Sequence, residues 1–261
     1  HDVSTVYAVF NNHKNGDFRP NVLRSTDKGM SWVALHSDLP ERGSVYSIAE
    51  DHIDPDLLFV GTEFGLYFTI DGGEDWIALK RGLPTIAVRD LVVQREHDDL
   101  IVGTFGRGIY ILEDYSPLRE IDRAMLDKRA HLFPVKNALA YIEAPTLGYP
   151  DRSFQGDNFF AADNPAFGAA ITYYMRDTMR TIREERRRLE TGLIERGEPV
   201  RYPPFDSIRA EDREQSPILL FTIRDAQGSV VRRIRREPQW GINRIHWDLR
   251  YDAHTPVSLE T

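Results

Sequence analysis

The chain has 261 residues, room for two domains or one large all-β domain, and its 41% apolar and 11% aromatic content is that of a folded globular protein. Its 41 Asp and Glu against 33 Lys and Arg leave a net charge of −8, which argues against general binding to nucleic acid or to an anionic membrane surface. No stretch reads as a transmembrane helix, so no membrane insertion is expected. The lack of cysteine excludes disulfides, thiol catalysis and Cys-ligated zinc without fixing a compartment.

The opening residues His1-Asp2-Val3-Ser4 are not a signal peptide. Either a signal has been removed or the chain begins inside a longer one, and the internal repeats favour the second reading. The first predicted strand is Val6–Phe10. Two segments then share the pattern Ser/Thr-x-Asp-x-Gly-x-x-Trp: Ser25-Thr26-Asp27-Lys28-Gly29-Met30-Ser31-Trp32 and Thr69-Ile70-Asp71-Gly72-Gly73-Glu74-Asp75-Trp76, their aspartates 44 positions apart. The pattern has a physical basis. An Asp at the head of a tight turn accepts backbone N–H bonds, a Gly two positions later takes a left-handed conformation without a Cβ clash, and the Trp buries a large face beneath the hairpin. Ser25, Asp27, Gly29, Trp32, Thr69, Asp71, Gly73 and Trp76 are therefore expected to be structural.

Around the second copy, Val45–Ala49, Leu57–Thr62, Leu66–Ile70 and Trp76–Leu79 read as four strands. Val45–Ala49 recurs at Val88–Val92, and Phe59-Val60-Gly61-Thr62 recurs at Ile101-Val102-Gly103-Thr104. A period of about 40–45 residues with four short strands per unit is the mark of a β-propeller blade. The strand Val6–Phe10 aligns with the second strand of that blade. Val88–Val93, Leu100–Thr104 and Gly108–Leu112 form a further blade that ends without a box. The expected fold class is mainly β: about two and a half blades over residues 1–115, a linker over 116–134, and a small antiparallel β-sandwich over 135–261 with a charged helical insertion at 176–215. Strands of the sandwich are predicted at Phe167–Tyr174, Ile218–Ile223, Ser229–Ile234 and Ile242–Trp247, with a hairpin turn at Asp225-Ala226-Gln227-Gly228. In the insertion Met175, Met179, Ile182, Leu189 and Leu193 fall on one helical stripe, and Glu184 with Arg188 makes an i,i+4 pair. Its ten arginines are balanced by ten acids, so Arg183, Arg186, Arg187 and Arg188 read as a solvated face and not a polyanion site. Arg232, Arg233, Arg235 and Arg236 read as a charged edge strand that resists aggregation.

The two boxes resemble the Asp-box, or BNR, repeat of sialidase-like and sortilin-like propellers. With Gly61–Gly65, Gly103–Asp114, Asn164–Gly168 and Gly241–Tyr251, the chain resembles the C-terminal part of large bacterial proteins with sortilin-like BNR propellers, often labelled glycosyl hydrolases, which end in a fibronectin- or flagellar-hook-cap-like sandwich. The resemblance implies a secreted or periplasmic protein. It implies that the box turns lie away from the ligand face, and that Trp247 sits in the sandwich core. Phe105 stands where relatives are expected to carry His, so any role of that His is absent. Loops of a blade alternate faces, which places Tyr46, Glu63, Phe64, Arg89, Phe105 and Arg107 at the ligand-facing mouth. A glycosidase needs two carboxylates, and only Glu63 and Asp90 are candidates here. The alternative for Glu63 and Arg107 is a salt bridge between adjacent blades. No H-E-x-x-H, phosphate loop or Gly-x-Ser-x-Gly elbow occurs, so no metal and no cofactor is expected. The expected function is a binding or interaction module for a glycan, peptide or protein ligand, with a glycoside hydrolase as the alternative. The remaining blades, from an upstream segment or another chain, are the expected partners, covering Val6, Tyr7, Val9, Val22 and Leu23.

Overall fold

The computed structural model describes residues 1–35, 38–138, 140–141 and 166–252; Asn164 and Pro165, quoted above, lie outside them. The chain divides into two units, 1–122 and 123–261. It is mainly β, with several antiparallel sheets, none of them closed. None of the described helices is long and apolar enough to cross a membrane.

The first unit holds three sheets. Sheet one is β1 (Val6–Asn12), β2 (Asp17–Ser25) and β3 (Val33–Ala34), sheet two is β4 (Val45–Glu50), β5 (Leu58–Thr62), β6 (Gly65–Thr69) and β7 (Ile77–Leu79), and sheet three is β8 (Val88–Gln94), β9 (Asp99–Thr104) and β10 (Ile109–Leu112). Strands pair in sequence order within each. Sheet two is a sandwich filling, and this explains its continuous apolar run. Every residue of β5 is buried, and the two-residue side-chain period sends Leu58 and Val60 toward Val22 of sheet one while Phe59 meets Leu100 and Val102 of sheet three. Each such side chain removed from water contributes about 1.5–3 kcal/mol.

One glycine sets how closely sheets two and three approach. A Cβ at Gly61 would lie 2.6 Å from Val88 Cγ1 and 2.8 Å from the Val88 carbonyl oxygen, so glycine is what lets β8 lie against β5. Tyr7, Val9 and Val22 pack into the same cluster as Leu58 and Val60. They therefore face sheet two, not away from it as the sequence suggested; the opposite face of sheet one carries Val6, Ala8, Phe10 and Leu23.

The stretch read as a linker is instead part of this unit at its start. Tyr115 is buried in the cluster between sheets two and three, and a 3-10 turn at Ser116–Glu120 directs Arg119 back onto them.

In the second unit a four-residue helix, α1 (Arg123–Leu126), precedes β11 (Ala130–Leu132), which pairs with β12 (Ala169–Met175), and β12 pairs with β15 (Gly241–Trp247). A separate hairpin joins β13 (Leu219–Arg224) to β14 (Val230–Arg236) through a turn in which Ser229 N–H and Gln227 N–H both reach Asp225 Oδ1. Ile171, Tyr173 and Met175 meet Ile234 and Ile245 in one core. Trp247 packs against that core at its edge, and its Nε1–H donates to Arg250 O.

The helix of the insertion starts later than its stripe suggested. Met175 ends β12, buried in the core, and α2 spans Ile182–Glu195. Thr181 begins it with a capping box: its Oγ1 accepts from Glu184 N–H, and Glu184 Oε2 accepts from Thr181 N–H. Because Glu184 is used in the cap, Arg188 pairs with Glu185, at 2.6 Å, in place of the expected i,i+4 partner. A second helix, α3 (Phe205–Arg213), was not foreseen; its buried Glu211 takes Arg186 at 2.6 and 2.8 Å. Since α2 buries no residue, its apolar stripe belongs to no core among the described residues. Replacing 179–215 with a Gly-Ser loop is thus expected to leave the sheets folded, checked by circular dichroism and melting; a chain that no longer folds would assign the stripe to the main core.

Candidate functional site

Antiparallel connection puts the turn between the second and third strands of a sheet at one end and the box turn at the other. At the box end, Asp71 Oδ1 accepts from the N–H groups of Glu74 and Asp75 at 2.9 and 3.0 Å, while the Thr69 hydroxyl donates to Asp71 at 2.5 Å and accepts from Gly73 N–H. Asp27 is held in the same way by Ser31 N–H (2.8 Å), the Ser31 hydroxyl (2.6 Å) and the Ser25 hydroxyl (2.8 Å). Those bonds, the one from the Ser31 hydroxyl foremost, bring the Asp27 pKa down to about 2. Gly29 and Gly73 take φ of 89° and 100°, where a side chain would be strained. The tryptophans differ. Trp76 is 7% exposed and donates from Nε1 to the O of Leu35, the residue after β3, at 2.6 Å, whereas Trp32 is 41% exposed and donates to Gly29 O in its own turn.

The opposite end gathers most of the residues expected at a ligand face. Each inner strand begins with a β-bulge: the register of β4 against β5 shifts between Val45 and Ser47, and that of β8 against β9 between Val88 and Asp90. The extra residues are Tyr46 and Arg89. A bulge re-aims its side chain, and here the Arg89 guanidinium lies 3.9 Å over the Tyr46 ring and 5.3 Å from the Phe105 ring. The turn carrying Phe105 is fixed by Phe105 N–H to Ala87 O at 2.9 Å and by the Thr104 hydroxyl to Gly108 O at 2.7 Å. The turn of Glu63 and Phe64 is fixed by Glu63 N–H to Ser44 O and by the Thr62 hydroxyl to Gly65 O. Phe105 is 68% exposed and Phe64 is also exposed. A second cation–ring pair, not foreseen, puts Arg42 over Phe18 at 5.5 Å.

One expectation was not met. Glu63 and Arg107 make no salt bridge among the described residues, since the side chain of Arg107 points from an exposed turn. Asp90 sits opposite Gly103 on the face of sheet three remote from sheet two, with Oδ1 accepting from Leu91 N–H at 2.9 Å.

A buried polar cluster between sheets two and three went unread in the sequence. Asp51 accepts from Arg119 Nε (2.8 Å) and Nη2 (2.7 Å), from the Tyr115 hydroxyl (2.5 Å) and from the N–H groups of Ile53 and Asp54. Arg119 Nη2 also reaches Asp98 at 2.5 Å. Burial pushes the Asp51 carboxyl up, but the bonds from Arg119 and then Tyr115 outweigh it and hold the group well below the usual carboxylate range. Asp51, His52 and Asp98 bring potential metal-ligand atoms within 4.8 Å of one another. Arg119 already supplies the positive charge both carboxylates require, so the cluster fits a clamp between sheets better than a metal centre.

No protein-family model and no curated protein matches this chain. Among solved structures it is similar to an ancestral GH74 enzyme (20% identity, TM-score 0.34, 41% of this chain and 12% of that one), a GH74 enzyme from Niastella koreensis (14%, 0.35, 44% and 19%) and a GH74 xyloglucanase from Xanthomonas campestris (13%, 0.35, 46% and 20%). The chain thus spans a fifth or less of the length of those structures.

Proposed function

We infer that the first unit is an arc of a β-propeller of the Asp-box type, acting as a secreted binding module whose mouth takes a glycan. The 43-residue offset between equivalent strands, the sequential strand order and the repeated bulges support the arc. The observation that carries the ligand class is the Tyr46–Arg89–Phe105 stack at the end opposite the boxes. A ring face backed by a fixed cation suits the C–H face and hydroxyls of a sugar. Arg89 makes no ion pair among the described residues, so its N–H edge remains available as a donor.

Hydrolysis is the weaker reading. It requires an acid and a second carboxylate facing one bond, and Glu63 and Asp90 do not share a face. The test is a panel of neutral and acidic oligosaccharides scored for binding and for cleavage. Binding without cleavage, weakened roughly tenfold or more by Phe105→Ala with the melting temperature unchanged, is the expected outcome. Binding to none would overturn the glycan reading, and cleavage lost in Glu63→Gln would replace it with the hydrolase.

A further inference from the structure

We propose that the helical insertion of the second unit carries a binding site for a compact organic dianion, a phosphate monoester or a dicarboxylate, on an apolar or ring-shaped body. Helices α2 and α3 and the chain between them line a groove of about 550 Å³, a volume typical of small-ligand sites. Its frame is built from charge and not from an apolar core. Glu211, the one buried residue of α3, fixes the Arg186 guanidinium through two bonds, and Glu190 of α2 takes the same guanidinium at 2.7 Å. These bonds tie α2 to α3 although α2 buries no residue of its own.

Four arginines and two glutamates line the groove, a local reversal of sign in a chain of net charge −8. The arginines divide into two groups. Arg183 pairs with Asp212 and lies 3.6 Å from Glu211, and Arg186 is held as described, so neither has charge to spare. Arg187 and Arg201 are exposed and make no side-chain hydrogen bond or ion pair among the described residues. A guanidinium presents paired N–H donors that match a carboxylate or a phosphate, so two uncommitted guanidiniums on one groove call for two negative charges. The rest of the lining describes the body that carries them. Val200, Pro203 and Ile208 supply an apolar wall, and beside them the Tyr202 ring stands 87% exposed. A bare inorganic ion would leave that wall unused. The site lies in the second unit and depends neither on the propeller arc nor on the glycan reading of the first.

Titration calorimetry of the full chain at low salt tests it with phenyl phosphate and phthalate, which carry both features, with inorganic phosphate, which lacks the ring, and with benzyl alcohol, which lacks the charge. At least one of the two ring-bearing dianions should bind, and the tighter of them names the head group; inorganic phosphate and benzyl alcohol should bind several-fold more weakly or not at all. Arg187→Gln and Arg201→Gln should each weaken binding roughly tenfold or more with the melting temperature unchanged, since neither side chain has a partner to lose. Arg188→Gln is the control. It follows Arg187 in sequence but pairs with Glu185 and does not line the groove, so binding should not change. Failure of both ring-bearing dianions to bind would overturn the proposal. So would equal binding of inorganic phosphate, or a loss in Arg188→Gln as large as that in Arg187→Gln, which would mark general attraction to a basic surface.

Discussion

Replacing Arg119 with Met is expected to destabilise the first unit by about 3–5 kcal/mol, because it leaves two carboxylates buried without their cation. Asp51 has no exposed side-chain surface and Asp98 very little; Arg119 bonds to both, and the His52 ring lies 3.5 and 3.4 Å from them. Urea denaturation of the variant measures the loss; a cost below about 1 kcal/mol would mean that the clamp behaves as a surface pair. Asp51→Asn combined with Arg119→Met should recover part of the stability, since it leaves one carboxylate, Asp98, without this cation where Arg119→Met leaves two. The same clamp sets an acid limit. The Asp51 pKa is lowered in the folded protein from its ordinary 3.8, so its contribution is fully present above that value and is lost as pH falls through the folded one. Acid unfolding of the native chain should therefore begin below about pH 4, and the Arg119→Met variant should show less of that dependence.

Trp76→Ala is expected to cost about 3–5 kcal/mol, and Trp32→Ala far less, although the two residues occupy the same place in the same motif. Trp76 fills a cluster with Leu35, Val45 and Val60 and loses an indole hydrogen bond to Leu35 O. Trp32 has only its own turn. Asp71→Ala should fall between them, at about 1–2 kcal/mol, through the lost turn bonds. Chemical denaturation of the three variants decides the order. A Trp32→Ala cost equal to that of Trp76→Ala would show that something covers Trp32 in solution.

The strands of the first unit were legible because a single period runs through local chemistry and packing alike. Gly61-Thr62 and Gly103-Thr104 mark the ends of equivalent strands, and the box turns depend on residues a few positions apart. The bulged positions Tyr46 and Arg89 were likewise readable as strand starts, although their stacking was not. What the sequence concealed depends on distance along the chain. Arg119 finds Asp51 across 68 positions, and in a stretch rich in Pro and polar residues it reads as part of a linker. Helix α3 is short and follows two prolines, and its one buried residue is a glutamate satisfied by Arg186, so no apolar stripe betrays it. The start of α2 was misplaced because Met175 happens to continue the helical spacing while pairing in a strand. Which face of sheet one is covered depends on a neighbour, and alternation alone does not say which side that neighbour occupies.

Gly61 also governs an angle. Gly61 of β5 makes room for Val88 at the start of β8, so the angle between sheets two and three depends on how closely those two strands approach. A side chain at position 61 would act as a wedge between those strands and change that angle. One hydrogen atom in place of a methyl group thereby sets how closely β8 lies against β5.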